Sequence, residues 1–456
     1  MIVPTSRLLV CYGLVIPLLM LLPLLGGGLF ALASGGCLVF AFVALLDCAL
    51  AGVRMRSVTV DLPAFVRMTK GREGSIEMDV RSSRMSRTAI RLGLPFPEHI
   101  SSPHDTLGAL LPEGGSSMRM AWPCTPLRRG RFLVDGCHVE TRSFLGLWAF
   151  RRRHDKVCEI RVYPDLAKEG RQVAALFLNR GSFGVHAHRQ QGKGREFERL
   201  REYAPGDGYD EINWKATAKR HHPVTKVCQV ERTQEVYVCI DASRLSGRLW
   251  QSGAGSADSV EGLSGDGHVT HLDRFIGAAL VLGLAARKQG DLFGMAAFDE
   301  SVHAFLRAAG SRSHYTACRE HLVNLCPRPV NPDYEELFTF IRLKLRRRAL
   351  IMMLTSLDDP LLAETFMRAM ELVCHDHLVC VTMLRPEEAR PVFSNIDVPS
   401  PGKIYDELSG HSVWHNLREL DAGLKSRGVH LSLVGHERLC VDMVSQYMNV
   451  KQRQLL

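Results

Sequence analysis

The residues with most chemical potential sit where apolar runs stop. Val236–Ile240 is an apolar run that ends at Asp241, and Ala349–Leu354 is followed by Thr355-Ser356-Leu357-Asp358-Asp359-Pro360. Carboxylates at strand ends supply hard oxygen ligands, so Asp241 and Asp358 could serve a divalent cation and, through it, a hydrolytic reaction. A hydrolase also needs a nucleophile, a base and a group that orients the base. The sequence offers no complete set, and an enzyme is therefore not the expected reading. Asp359 before Pro360 is more simply a helix N-cap with proline in the first turn. His375-Asp376-His377 reads as a turn before a strand with no third ligand nearby, and His221-His222 as a generic loop pair. No phosphate-binding G-x-x-x-x-G-K-[ST] motif occurs, so the chain itself is not expected to be an ATPase.

The elements that must position Asp241 and Asp358 alternate in type. Strands are expected at Val236–Ile240, Leu292–Phe298, Ala349–Leu354, Leu378–Leu384 and Val429–Val434. Helices are expected at Arg274–Arg287, Ser313–Leu325, Asp333–Leu345, Leu361–Val373, Val413–Arg427 and Glu437–Tyr447. Nearly continuous apolar strands alternating with amphipathic helices predict a parallel, doubly wound sheet over residues 231–456. Such sheets bind at the carboxyl ends of their strands, where both carboxylates fall. The Gly- and Ser-rich stretch Ser246–Gly267 reads as a flexible insertion close to that edge.

Upstream the rhythm differs. Residues 57–165 carry short alternating segments at Ser57–Leu62, Gly74–Val80, Thr88–Leu94, Ser117–Trp122, Gly130–Val139 and Cys158–Tyr163, which predict an all-β, immunoglobulin-like sandwich. Residues 166–230 then read as a connector. At the head, Leu8 to Leu46 contains no Asp, Glu, Lys, Arg or His over 39 residues, about twice the length that one helix needs to cross a bilayer. Gly26-Gly27-Gly28 divides it into two spans, about 8–25 and 29–51, so residues 1–56 form a helical hairpin. Arg7 precedes it and Arg54, Arg56, Arg67 and Lys70 follow, which places both termini and the bulk of the chain in the cytoplasm. The run is too long for the apolar core of a cleaved signal peptide.

Composition agrees with this division. The chain has 456 residues, 46% apolar and 23% charged, which excludes a disordered or low-complexity protein. Its 13 cysteines are scattered without a C-x-x-C pair, as in a reducing compartment. The net charge of +9 includes Arg151-Arg152-Arg153 and Arg346-Arg347-Arg348, solvated basic faces that could also meet anionic lipid; no nucleic-acid motif accompanies them.

Residues 194–220, GREFERLREYAPGDGYDEINWKATAKR, describe on their own a charged stretch, a Pro-Gly turn and a basic tail. They resemble the signature of the domain of unknown function 58 family. Gly194, Glu196, Leu200, Arg201, Tyr203, Pro205, Gly206, Asp207, Ile212, Trp214 and Ala218 match it, and Lys219 stands where Arg is usual. Pro126–Trp148 (PLRRGRFLVDGCHVETRSFLGLW) is similar to the family's "RG…PFGL" segment, and Tyr447–Leu456 also agrees. Asp210 occupies a turn position where members commonly carry Arg. The resemblance implies an α+β multidomain protein of the bacterial inner membrane: a two-helix anchor, a β-module and a C-terminal domain similar to von Willebrand factor A domains. It also implies a protein-binding or assembly role with a MoxR-type AAA+ ATPase and other envelope proteins, a purely structural envelope scaffold being the further alternative. A-type domains hold Mg²⁺ through Asp-x-Ser-x-Ser after the first strand, a Thr and a later Asp. By that resemblance Asp241, Ser243 and Asp358 are the metal candidates, Ser311, Ser313 or Thr316 would supply the Thr, and Leu245 replaces the second Ser. That last departure implies a degenerate adhesion site.

Overall fold

The computed structural model describes residues 1–25, 30–56, 58–82, 88–111, 117–179, 191–205, 208–209, 212–229, 234–249, 269–386, 388–392 and 401–453. The chain divides into two compact units, Met1–Asp165 and Leu166–Leu456.

In the first unit a short strand, β1 (Ile2–Pro4), leads into two helices, α1 (Ser6–Leu25) and α2 (Phe30–Arg56). Within α2, Ala31–Leu50 is long and apolar enough to cross a membrane, with mean hydropathy 2.0, while the apolar part of α1, Ser6–Leu21, is shorter. Their large side chains point away from protein: Leu14, Leu18, Leu32, Leu38 and Phe42 are all exposed. Gly36 lies against Leu19, where a Cβ would stand 3.0 Å from its methyl, so the helices pack closely at that level.

Among the described residues nine strands follow: β2 (Val58–Asp61), β3 (Phe65–Thr69), β4 (Gly74–Ser82), β5 (Thr88–Gly93), β6 (Ile100–Ser101), β7 (Leu107–Leu111), β8 (Ser117–Pro126), β9 (Gly130–Arg142) and β10 (Trp148–Tyr163). They form two sheets, ordered β2-β4-β8-β6 and β1-β10-β9-β5-β7, with β3 parallel to β10. Period-2 alternation buries one face of each. Ile76, Met78 and Trp122 of the first sheet share a core with Leu92, Val134, Cys158 and Ile160 of the second. The long β9–β10 ladder contains a register shift between His154 and Val157. Gly136 has φ +80° there, and a Cβ would fall 2.4 Å from the His154 carbonyl oxygen, so only glycine suits the irregularity. The strand expected at Cys158–Tyr163 thus begins ten residues earlier and includes Arg151–Arg153, whose charges point outward; Arg151 meets Glu140 and Arg153 meets Asp155.

The second unit opens with α3 (Ala167–Asn179), a two-stranded antiparallel sheet of β11 (Gln191–Glu202) and β12 (Val224–Gln229), and the short α4 (Trp214–Arg220) between them. The charged stretch expected to be a connector is therefore a strand. Then come β13 (Glu235–Asp241), α5 (His271–Lys288), β14 (Leu292–Phe298), β15 (Val302–Ala309), α6 (Arg312–Val323), α7 (Tyr334–Lys344), β16 (Leu350–Leu354), α8 (Pro360–Met370), β17 (Leu378–Leu384), α9 (Pro401–Ser426), β18 (His430–Val434) and α10 (Leu439–Gln452). The sheet order is β15-β14-β13-β16-β17-β18, parallel except for β15.

Alternation along β13 divides the core in two. Val236, Val238 and Ile240 pack with α5 and α10, while Tyr237 and Cys239 pack with α7, α8 and α9. Helices thus cover both faces, which is why the strands can be apolar throughout. Most of the Gly/Ser-rich insertion, 250–268, lies outside the described residues.

Candidate functional site

The chain leaves β13 for β14 on one side and later returns to β16 on the other, so strand order reverses beside β13. The carboxyl ends of the strands there form the crevice where doubly wound sheets bind ligands. Asp241 is the last residue of β13 and is fully buried. Its Oδ1 accepts the Ser243 N–H at 2.8 Å and its Oδ2 accepts the Thr355 hydroxyl at 2.7 Å. Thr355 in turn stands 3.0 Å from the buried Tyr334 hydroxyl, which completes a relay Tyr334–Thr355–Asp241 across β13, β16 and α7. The Ser243 Oγ accepts the Leu245 N–H, and Ser246 donates to the Ser243 carbonyl, which closes the loop on itself.

Around this hub stand charged pairs. Asp299, just beyond β14 and fully buried, has His303 Nε2 at 2.5 Å and Arg328 Nη1 at 3.2 Å. Asp358 pairs with Arg248, and its other oxygen is buried with no hydrogen-bond partner among the described residues. His271 opens α5 behind the Thr270 capping box, and its ring lies 5.3 Å from that of His436. Burial, then the neighbouring His271 and Arg274, push His436 down to about 4, and burial and Arg248 lower His271 also. Both imidazoles are neutral at pH 7. Three arginines are exposed at this edge: Arg248 is paired with Asp358, Arg328 with Asp299 and Glu300, and Arg244 bonds the neutral Asn331 side chain.

The metal candidates do not assemble into a cation cage. Asp241 and Ser243 come together, but both carboxylate oxygens are already engaged, and Asp358 faces an arginine. Leu245 is buried in place of a ligand. A divalent ion needs several oxygen lone pairs open to it; here each Asp241 oxygen already accepts one hydrogen bond, and the oxygen of this donor set with no partner among the described residues is Asp358 Oδ1. The Thr sought among Ser311, Ser313 and Thr316 is at the other edge of the sheet. β15 runs antiparallel to β14, and the register Phe293↔Ala309 puts the end of β15, and hence Ser311, the N-cap of α6, beside the start of β14. Thr355 is the residue that meets Asp241, and its place directly after an apolar strand was the available signal. His375–His377 end the turn after α8 with His377 buried, and His221 is the left-handed C-cap of α4, its neighbour His222 lying 3.6 Å from Glu202. Among the described residues no group of three or more His, Cys, Asp or Glu could hold a metal.

Of the signature residues, Gly194 and Glu196 lie on β11, as do Leu200 and Arg201. The Tyr203 N–H bonds the Pro223 carbonyl, which extends the β11–β12 pairing by one residue, and Pro205 follows in a turn. Ile212 is buried and bridges to Thr225, whereas Trp214 is exposed at the start of α4, behind an Asn213 cap. Gly206, Asp207 and Asp210 lie outside the described residues. The described signature residues thus build the β11–β12 hairpin and the start of α4 between its strands.

Burial raises the Asp241 carboxyl above its ordinary range; the Ser243 and Thr355 hydrogen bonds oppose this in part, and the Asp299 charge adds to it. Between the unfolded value, near 3.9, and the higher folded one, the native state binds more protons than the unfolded chain, so stability falls as pH rises through that window. Asp241→Asn keeps the shape and cannot ionise. Its stability relative to wild type is expected to improve steadily from pH 4 upward, as checked by urea titration at a series of pH values.

The family model described as "Protein of unknown function DUF58" matches residues 199–401. Two solved structures are similar to part of the chain. "Crystal Structure of the SpRpn10 VWA domain" is 11% identical and covers 47% of this chain and 95% of its own, with TM-score 0.27. The conserved hypothetical protein BatB from Bacteroides thetaiotaomicron is 13% identical and covers 48% of this chain and 99% of its own, with TM-score 0.27. No curated protein matches the chain.

Proposed function

We propose, from the premise that residues 199–401 carry a domain of the DUF58 family, that this chain is a membrane-anchored protein-binding component with no catalytic step of its own. Its doubly wound domain grips a partner through the carboxyl edge of the sheet without a metal ion. The observation that carries this is the closed state of Asp241. A carboxylate that is fully buried and hydrogen-bonded on both oxygens is a structural hub, and what the edge offers outward is first the guanidinium of Arg244, which meets a neutral side chain, beside Arg248 and Arg328, which are exposed but already paired with Asp358 and Asp299. Guanidiniums recognise carboxylates with two parallel hydrogen bonds, so an acidic protein surface is the complementary partner. The resemblance adds the class, a MoxR-type AAA+ ATPase.

The same reading makes the head a two-pass anchor. β1, before α1, pairs with β10, and β2, after α2, pairs with β4. Both ends of the helical pair are therefore tied to one β-unit and lie on one side of whatever the helices enter. The exposure of their apolar side chains supports a lipid surround.

Pull-down from detergent-solubilised membranes tests the binding reading. The wild-type chain is expected to recover an AAA+ protein under ATP-trapping conditions, equally with Mg²⁺-free washing once the complex has formed. Arg244→Glu is expected to reduce recovery at least tenfold while the melting temperature stays within a few degrees, because the Arg244 guanidinium is exposed and bonds the neutral Asn331 side chain. Equal recovery by this variant would remove Arg244 from the interface.

A further inference from the structure

The SFLGLW stretch, singled out in the sequence as part of a family-like segment, forms the loop between β9 and β10. It is gripped by both helices at one level. From the first, the Thr5 N–H and hydroxyl bond the Leu147 and Gly146 carbonyls, and Arg7 lies over Gly146, where a Cβ would stand 3.2 Å from Nη1. From the second, the Asp47 carboxylate accepts the Leu145 N–H at 3.0 Å, and the Ala44 carbonyl accepts the Trp148 indole N–H at 2.9 Å. Within the loop Ser143 and Trp148 bond reciprocally, and Gly146 takes φ +74°. The loop is a rigid turn with a fixed position along the helices.

That position is the end of the apolar spans. Measured from the loop, Leu8–Leu25 is 18 residues and Phe30–Leu46 is 17, or about 27 Å and about 26 Å of helix, each close to the thickness of a hydrocarbon core. The first charged residues on the two helices, Arg7 and Asp47, are the ones that touch the loop. Phe144 and Leu145 nevertheless project outward, 75% and 48% exposed, in continuity with exposed Leu45, Leu46 and Leu50 of α2. A turn that buries Ser143 and Leu147 and exposes Phe144 and Leu145 beside a membrane span has an apolar environment to face.

We propose that this loop is a wedge seated in the lipid interface of the leaflet nearest the β-unit. Phe144 and Leu145 lie at the boundary between headgroups and acyl chains, with Arg7 and Arg142 at phosphate level. The β-unit is then docked on the membrane in one orientation instead of hanging from a tether. The inference rests on the two-pass anchor proposed above.

The full chain in native membranes, with the photoreactive residue p-benzoylphenylalanine at position 144, tests it. The control carries the same residue at Leu110, an exposed position on β7 of the same unit. Irradiation is expected to give phospholipid adducts at 144, seen by mass spectrometry, at least fivefold above those at 110. If the protein resists carbonate extraction but position 144 gives no lipid adduct, or only protein adducts, the wedge is wrong and the anchor stands. If carbonate releases the wild-type chain, the anchor fails and the wedge with it.

Discussion

Replacing Asp291 by Ala is expected to cost about 3–5 kcal/mol, the range for removing one partner of a buried ion pair. Asp291 lies between α5 and β14 and is fully buried. Its Oδ1 accepts the Gln234 N–H that leads into β13, and its Oδ2 accepts both the Tyr447 hydroxyl and, at 2.6 Å, Lys451 Nζ from α10. Lys451 also donates to the Gln289 carbonyl. One carboxylate thus fixes the last helix and the first strand to the α5–β14 turn. Alanine would leave an ammonium, a phenol and a backbone N–H without their acceptor, and burial together with Asp291 already holds the Tyr447 phenol protonated. Against a typical total stability of about 5–15 kcal/mol, the loss removes a large share. Urea denaturation of the purified chain measures it. Adding Lys451→Met to Asp291→Ala should restore about half of the loss, because the uncompensated charge is gone; no recovery would show that the phenol and the Gln234 N–H dominate.

This clamp is at the amino edge of the strands and the Asp241 relay at the carboxyl edge, and the two were unequally visible in the sequence. Asp241 ends an apolar run, so strand and carboxylate were legible together. Leu292–Phe298 and Leu378–Leu384 have the boundaries expected of them, because a fully buried parallel strand is one unbroken apolar run with polar ends. Asp359 and Pro360 cap α8 as expected, since both act within a single turn. β15 was not legible. Its residues, VHAFLRAA, alternate weakly at the edge of the sheet, and an unseen antiparallel strand moved the start of α6, with Ser311, to the wrong edge. β11 was hidden for a similar reason: a charged, two-stranded ribbon has no buried face to impose a pattern. β3 and β7, of five residues each, also escaped notice. Tertiary pairs such as Arg248–Asp358 and Lys451–Asp291 join residues 110 and 160 positions apart, and nothing local encodes them.

On the two-pass anchor proposed above, changing Leu38, Val39 and Phe42 together to Lys is expected to abolish stable membrane residence. The three lie in the middle of α2 with 71%, 63% and 65% of their surface exposed, so the change touches no protein core. Insertion costs about 2.5–3.5 kcal/mol for each charged residue near the centre of a span, and the lost apolar residues contributed about 0.3–0.6 kcal/mol apiece. The sum, about 8–12 kcal/mol, exceeds what one span of ordinary apolarity can offset. The first helix cannot compensate by crossing alone. A single crossing would put Ile2–Pro4 on the far side of the membrane from β10, with which they pair, and would also strip Thr5 and Arg7 from the loop at Gly146. On that proposal the hairpin enters as a unit or not at all. The carbonate-resistant fraction should fall from nearly all of the wild-type chain to a small remainder, with the variant in the supernatant or in aggregates. A matched triple change to Ala keeps the helix and removes bulk without charge, and it should remain in the membrane. Retention of the Lys variant at wild-type levels would mean that α2 lies along the surface or against another protein, and the positions of Arg54 and Arg56 would then say nothing about sidedness.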